Sequence, residues 1–435
     1  MKIKQFTNLL LVVLLTSCIA CVQSKPKDLL SQLSDIPGVS VKKIEGDTTF
    51  AEYYELYFTQ NLDHQNPGAG TFQQRVLLGH HAFNRPMVVQ LEGYKIWSEK
   101  AGELSKLLDA NQLTIEHRYF ENSMPDSLDW QYLTIKQAAA DQHVIIQALQ
   151  KLYPEKWLTT GISKGGQTTI YHRYFYPDDV DVSVPYVAPH NLAREDKRIQ
   201  KHLASVGSPE TRDKIYQFQL ACFKNKAKLL PLAEAYAKEK NYSFSMGLER
   251  ALDLSILEYS FAYWQWGGIP SDSIPNENAG TKEIFDHLFK VSGIDFFDVN
   301  NIKPLLAFYQ QALTEIGMYS YEIAPFKQYL NDEKDITFDF TFPNESIRKF
   351  DPSSMIKINK WLQTDAEKML FIYGEYDTWS ATAVDLNGND KCKKFINPKG
   401  SHKTRINSFP PEMKKEIVNT LEKWMNVQLS VNNEQ

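Results

Sequence analysis

The stretch "KWLTTGISKGGQTTIYHRYF", residues 156–175, sets a run of β-formers directly against a helical run, with one serine among glycines between them. A chain passing from strand to helix in so few residues must turn sharply. Gly161 and Gly165, each two residues from Ser163, permit the turn, because a Cβ at such a junction collides with neighbouring backbone. Gly161-Ile162-Ser163-Lys164-Gly165 therefore fits G-x-S-x-G, an elbow that raises a serine hydroxyl at the end of a sheet and aims the N–H of the next residue, Lys164, at a developing oxyanion. The pattern requires a strand before it and a helix after it, and the sequence predicts both.

The same alternation governs the surrounding chain. "PMVVQLEGY" (86–94), "LTIEHRY" (113–119) and "VSVPYVAP" (182–189) are short apolar or β-branched runs bounded by breakers, while "SEKAGELSKLLDA" (98–110) and "TIKQAAADQHVIIQALQKLY" (134–153) have helical spacing. Buried strands alternating with helices specify a largely parallel sheet covered on both faces. Upstream, "TTFAEYYELYFTQ" (48–60) and "TFQQRVLLGHHAF" (71–83) flank the turn-rich "NLDHQNPGAG" and predict an antiparallel pair. From 194 to 360 the pattern is mostly helical. Strand character returns in "KMLFIYGEYD" (368–377) and "KCKKFINPKGSH" (391–402), before an amphipathic closing helix at 411–429. The interrupted sheet predicts an α/β-hydrolase fold, with a core over 46–193 and 361–430 and a mainly helical cap, 194–360, inserted between core strands.

A chain of 435 residues, 43% apolar and 23% charged, can bury a core of that size. Its formal charge of −5, becoming −7 if a leader carrying Lys2 and Lys4 is removed, provides no electrostatic grip on nucleic acid. The short basic cluster "KCKK" (391–394) reads as a solvated strand edge. The apolar run from Leu9 to Leu15 is too short to span a bilayer and predicts a signal segment over 1–17. Leu15-Thr16-Ser17-Cys18 resembles a bacterial lipobox, which implies diacylation of Cys18, a lipid-anchored linker over 18–45, and an exported lipoprotein in the periplasm or on the cell surface. Cys21, Cys222 and Cys392 then remain, too few for a disulfide framework. Cys222 and Cys392 either pair or persist as buried thiols.

A serine hydroxyl becomes a useful nucleophile only when a base takes its proton and a carboxylate fixes that base. Behind an elbow of this kind the partners follow in the order acid, then histidine, each at the end of a later strand. "LFIYGEYD" ends in Asp377, with Glu375 a rival carboxylate, and "FINPKGSH" ends in His402, beyond which no histidine follows. A second oxyanion donor is expected from the loop in "VVQLEGYKIW", at Gly93 or Tyr94. Nothing implies a metal or cofactor: H-E-x-x-H is absent, and the adjacent His80 and His81 would face opposite sides of a strand.

"IEHRYFENSMPDSLDWQYLTIKQAAADQHVIIQALQ" together with "KWLTTGISKGGQTTIYHRYFYPDDVDVSVPYVAPHN" closely resembles the S37 serine peptidases, the bacterial prolyl tri- and tetrapeptidyl aminopeptidases. "FTQNLDHQNP", "TFQQRV" and "EHRY" are also similar to the related S28 prolyl carboxypeptidase group. The resemblance extends to "EYSFAYWQW" and "TEIGMYSYE" in the helical block and departs at Glu121, where relatives often carry Gly.

What the resemblance implies is an exopeptidase acting on peptides with a free N-terminus and releasing short N-terminal pieces, often ending in proline. Tyr263, Trp264 and Trp266 are candidates to wall a pocket for the flat proline ring. The free α-ammonium calls for a partly buried carboxylate, for which Glu92, Glu258 and Glu315 are the candidates. An esterase or lipase on the same scaffold, or a lipid-anchored binding protein without catalysis, are the competing readings, since a triad alone does not separate esters from amides.

Overall fold

The computed structural model describes residues 27–331, 337–342 and 349–427. Among them the strands are β1 (Val39–Ile44), β2 (Glu52–Asn61), β3 (Thr71–His80), β4 (Met87–Leu91), β5 (Asn111–Ile115), β6 (Trp157–Ile162), β7 (Val182–Tyr186), β8 (Leu370–Gly374) and β9 (Lys393–Asn397). They form one sheet in the order β1-β2-β3-β5-β4-β6-β7-β8-β9. Pairings from β1 to β5 across β2 and β3 are antiparallel, and every later pairing through β9 is parallel.

Successive strand residues point to opposite faces, and helices cover both. In the first part of the chain the helices are α1 (Leu29–Ser34), α2 (Glu103–Leu107), α3 (Ile135–Gln150) and α4 (Lys164–Phe175). Val89, Leu113 and Leu56 pack against Ile145 and Leu149 of α3 and Leu33 of α1. On the opposite face, Val88, Leu158 and Ile372 meet Leu104 of α2 and the closing helix Pro411–Met425. Between β7 and β8 come α5 (Arg198–Leu203), α6 (Pro209–Lys224), α7 (Lys226–Lys240), α8 (Leu248–Trp266), α9 (Thr281–Val291), α10 (Val299–Ile302), α11 (Leu306–Gln311) and α12 (Ser353–Thr364). Helix α8 is buried on nearly every side from Ala251 to Trp264, as a helix at the centre of a bundle must be.

Two expected boundaries need correction. The linker expected over 18–45 contains α1 and β1, with Val39 paired opposite Phe58. Its polar sequence conceals them because β1 is an edge strand whose Lys42 and Lys43 stay in water. The cap limit at 360 falls inside α12, which packs on α4 of the core, where the Tyr171 hydroxyl meets the Met355 sulfur at 3.4 Å. Cys18 and the signal segment lie outside the described residues. Among those described, no helix is long and apolar enough to cross a membrane. Cys222 and Cys392 are free and buried, and burial pushes the Cys392 thiol up to about 11.

One buried ion pair ties the early hairpin to the sheet. Arg118, just past β5, is fully buried and binds Asp141 of α3 through Nε at 2.7 Å and Nη2 at 2.8 Å. Its remaining N–H groups donate to the carbonyls of Asn61, Leu62 and Tyr132, so no part of the guanidinium is wasted. Breaking the Arg118 side of the pair leaves the buried Asp141 carboxylate with His64, whose Nε2 lies 2.7 Å away, as its one remaining side-chain partner among the described residues. Arg118→Met should therefore lower the unfolding free energy by about 3–5 kcal/mol in chemical denaturation. A loss under about 1 kcal/mol would show that the network is not a structural keystone. Three residues further on the backbone stays tense: Glu121 adopts φ 39°, a region glycine enters at least cost.

Candidate active site

β6 ends at Ile162 and α4 starts at Lys164, so the whole strand-to-helix turn falls on Ser163. Its φ of 57° and ψ of −119° are costly for an L-residue, and such strain persists only where surrounding structure enforces it. Two constraints do so here. The Ser163 N–H donates to the Tyr186 carbonyl of β7 at 2.9 Å, and the approach of α4 to β6 is so close that a Cβ on Gly161 would lie 2.2 Å from the Gly165 oxygen.

Asp377 stands three residues past β8 and is fully buried. It caps a single 3-10 turn, Thr378–Thr382, accepting from the Trp379 N–H at 3.2 Å and the Ser380 hydroxyl at 2.7 Å. Both its oxygens also lie 3.0 Å from Nδ1 of His402, in the loop after β9. Capping and orienting the imidazole are thus done by one carboxylate. Glu375, the rival, is exposed and accepts the Lys399 N–H at 2.8 Å. Helix α8 braces both partners, since the Thr378 hydroxyl donates to the Phe261 carbonyl at 2.9 Å and the His402 N–H donates to that of Gln265 at 2.8 Å. The Trp266 ring stands edge-on to the imidazole at 5.9 Å.

The loop after β4 lies directly against the elbow. A Cβ on Gly93 would sit 2.6 Å from the Lys164 carbonyl carbon and the Gly165 nitrogen, so only glycine allows this approach. Among the described residues, the N–H groups of Gly93, Tyr94 and Lys164 donate to no group of the chain. The Lys164 side chain folds back beneath the loop, where its Nζ donates to the Gly93 carbonyl at 2.7 Å and lies 5.6 Å and 5.5 Å from the ring centres of Tyr94 and Phe120. Burial brings this amine down to about 7, against the opposing pull of Glu315.

Ser163 and His402 open into one cavity of about 710 Å³ between the ends of the parallel strands and the helical block. Glu92 and Glu258 line it as well. The Glu92 carboxylate, beside Gln90 at 3.3 Å, and the Glu258 carboxylate, which accepts from the Tyr319 hydroxyl at 2.8 Å, are each pushed up to about 8 by burial. Among the described residues no lysine, arginine or histidine forms an ion pair with either one. Aromatic rings form part of the wall, Tyr94, Phe261, Phe308, Tyr319 and Trp379 among them, with Phe261 stacked on Tyr319 at 3.9 Å, and polar groups such as Asn191, Lys403 and Arg405 complete it.

Three expected substrate residues lie elsewhere. Tyr263 and Trp264 are buried in the helical block and wall a separate pocket with Gly207 and Tyr376. The helical repeat explains this, because Glu258, Phe261, Ala262 and Gln265 form the stripe of α8 that faces the cavity and residues 263 and 264 fall outside it. Trp266, half exposed, does line the cavity. Glu315 lies in a π-helical turn and accepts the Ile135 N–H at the start of α3 at 3.0 Å. The sequence reading missed the Lys164 side chain and the rings of Phe308, Tyr319 and Trp379. Trp379 follows the acid by two residues, and Tyr319 lies within the "TEIGMYSYE" stretch already singled out.

A strand-end serine, a histidine held by a buried carboxylate, and free N–H groups facing one cavity on a mostly parallel, helix-covered sheet define an α/β hydrolase of the serine type. Residues 22–435 match the family described as PS-10 peptidase S37, and the chain belongs to that family of serine peptidases. It is 30% identical to the prolyl tri/tetrapeptidyl aminopeptidase of Streptomyces mobaraensis over 94% of this chain and 87% of that one. A lysosomal Pro-X carboxypeptidase of Mus musculus is 28% identical over 35% of each chain. Among solved structures, a proline iminopeptidase of Mycobacterium smegmatis aligns with a TM-score of 0.44 at 12% identity, covering 85% of this chain and 99% of that one.

Proposed function

We propose that the enzyme removes short peptides, three or four residues ending in proline, from the free N-terminus of its substrates. The observation that carries this reading is the joint opening of Ser163, His402 and the cation-free carboxylate of Glu258 into one cavity beneath the helical block. Ser163 attacks the carbonyl that precedes the scissile bond, and its proton passes to His402, whose imidazolium is stabilised by Asp377. The N–H groups of Lys164 and of Gly93 or Tyr94 receive the oxyanion. Collapse of the tetrahedral intermediate passes the proton from His402 to the leaving amine, and water then attacks the acyl-enzyme by the same route in reverse.

Proline suits an aromatic wall, because its ring is flat and apolar and its nitrogen carries no N–H that would need an acceptor. Of the three carboxylates on the cavity, Asp295 is exposed and Glu92 and Glu258 are buried, and of the buried two Glu258 is the better anchor for the α-ammonium. Glu92 is bonded directly to Gly93, so its carboxylate stays within about one residue of the carbonyl under attack. Three or four extended residues span roughly 10–14 Å, which suits a carboxylate on the opposite, helical wall.

The test is a panel of fluorogenic substrates: Ala-Ala-Pro amide with a free N-terminus, the same peptide acetylated, and a butyrate ester. Cleavage of the free-amine peptide is expected at least roughly a hundredfold faster than of its acetylated form, the scale of an unpaired buried charge. Turnover of the ester alone would leave a hydrolase but overturn the peptidase specificity.

A further inference from the structure

We infer that the side chain of Lys164 is a positioning residue for the oxyanion site, acting through the peptide unit that joins Gly93 to Tyr94. The inference rests on Ser163 being the nucleophile.

A buried lysine one residue from a catalytic serine first suggests a general base, as in serine–lysine enzymes. Its contacts here point elsewhere. The Nζ donates to the Gly93 carbonyl at 2.7 Å and lies against the faces of Tyr94 and Phe120, while the imidazole held by Asp377 already provides a base. The carbonyl that the amine holds belongs to the peptide whose nitrogen is that of Tyr94. In a planar trans peptide the C=O and the following N–H point in opposite directions. Pinning the oxygen from beneath therefore turns the Tyr94 N–H the other way, towards the cavity that Tyr94, Ser163 and His402 share.

The loop needs such a restraint. Gly93 has no side chain with which to anchor itself, its neighbours forbid one, and among the described residues its own N–H and that of Tyr94 have no acceptor. The His117 N–H holds the Tyr94 carbonyl of the next peptide at 3.0 Å, but without the lysine the Gly93–Tyr94 peptide loses the hydrogen bond on its own oxygen. A donor that must already be aimed before charge develops loses value as that plane loosens. Lys164 thus serves the site twice, through its main-chain N–H and through the amine at the far end of the same residue. The amine retains N–H donors whether charged or neutral, so the restraint does not depend on its protonation.

Lys164→Met tests this, since it keeps the main-chain N–H and fills the apolar slot. Expected is a kcat lower by roughly 10- to 100-fold on the free-amine tripeptide amide, with KM within about threefold, the pattern of an interaction made only in the transition state. The affinity of Ala-Ala-prolinal, whose adduct with the serine mimics the tetrahedral state, should fall in the same ratio as kcat. Binding of intact peptide to Ser163→Ala and to Ser163→Ala/Lys164→Met should be equal. A kcat within about twofold of wild type, or equal weakening of peptide and aldehyde, overturns the inference. If the methionine variant does not fold, Lys164→Gln and Lys164→Arg carry the same comparison. Lower kcat and aldehyde affinity in Gln with recovery in Arg supports the restraint, and equal values in the two overturn it. Turnover surviving in Ser163→Ala alone would instead remove the nucleophile on which the inference stands.

Discussion

Ser163→Ala should lower kcat on peptide amides by roughly 10⁶, the loss seen when the nucleophile of a serine triad is removed, while peptide binding and the melting temperature stay close to wild type. Among the described residues the serine hydroxyl holds no other group of the fold in place; the turn is held by its main-chain N–H on Tyr186. The backbone strain at this residue supplies an internal control. Alanine keeps a Cβ at φ 57° and so keeps the cost, whereas Ser163→Gly removes it. The glycine variant should be as inactive as the alanine one but more stable than wild type, by about 1 kcal/mol or more. Stability gained with activity lost would show that the strain serves the presentation of the hydroxyl. A glycine variant no more stable than alanine would mean that the turn is relaxed as it stands, and substantial turnover in either variant would remove Ser163 from the chemistry.

How much of this could be read from the sequence follows from the range of the forces involved. The elbow was legible because its cause is local: Gly161 and Gly165 are required by backbone contacts within the turn, and the β-formers and helical run adjoin it. The parallel strands were legible because burial on both faces leaves almost continuous apolar runs, as in "LFIYG". β1 was not, since a half-exposed edge strand with Lys42 and Lys43 has the composition of a linker until its pairing with β2 is known. The helical block was legible as helix but not in rotation. Nothing within "EYSFAYWQW" says that Glu258 and Phe261 face the cavity while Tyr263 and Trp264 turn into the packing, because that phase is set by where α8 lies against the loops of Asp377 and His402. Glu315 was misread for a related reason: a π-helical turn shifts the side-chain phase by an amount that no regular period predicts. The role argued for the Lys164 amine depends on a contact across 71 residues, and no local rule reaches that far.

Glu258→Gln should reduce kcat/KM for the free-amine tripeptide amide by roughly 10²–10³, mostly through KM, with little change for the acetylated peptide. The argument turns on where the proton goes. Burial holds the Glu258 carboxyl up to about 8, so near pH 7 the free enzyme carries it largely protonated. An α-ammonium, whose own pKa is about 8, favours the ionised partner, so binding should expel close to one proton at pH 7. Titrating peptide into Ser163→Ala in buffers of different ionisation enthalpy reads this release directly, free of any catalytic titration. The release should vanish in Ser163→Ala/Glu258→Gln and persist in Ser163→Ala/Glu92→Gln. The reverse result would transfer the ammonium to Glu92, and release unchanged in both would remove the carboxylate anchor altogether. Stability should move the opposite way from affinity. With the folded-state pKa raised above its ordinary 4.5, the native protein binds the extra proton between those values, so Glu258 costs stability increasingly as pH climbs through that window. Glu258→Gln should therefore be more resistant to denaturant than wild type at pH 9 and little different at pH 4. A carboxylate kept at such a cost, hydrogen-bonded to Tyr319 and paired with no cation among the described residues, is accounted for when the missing cation is the substrate's N-terminus.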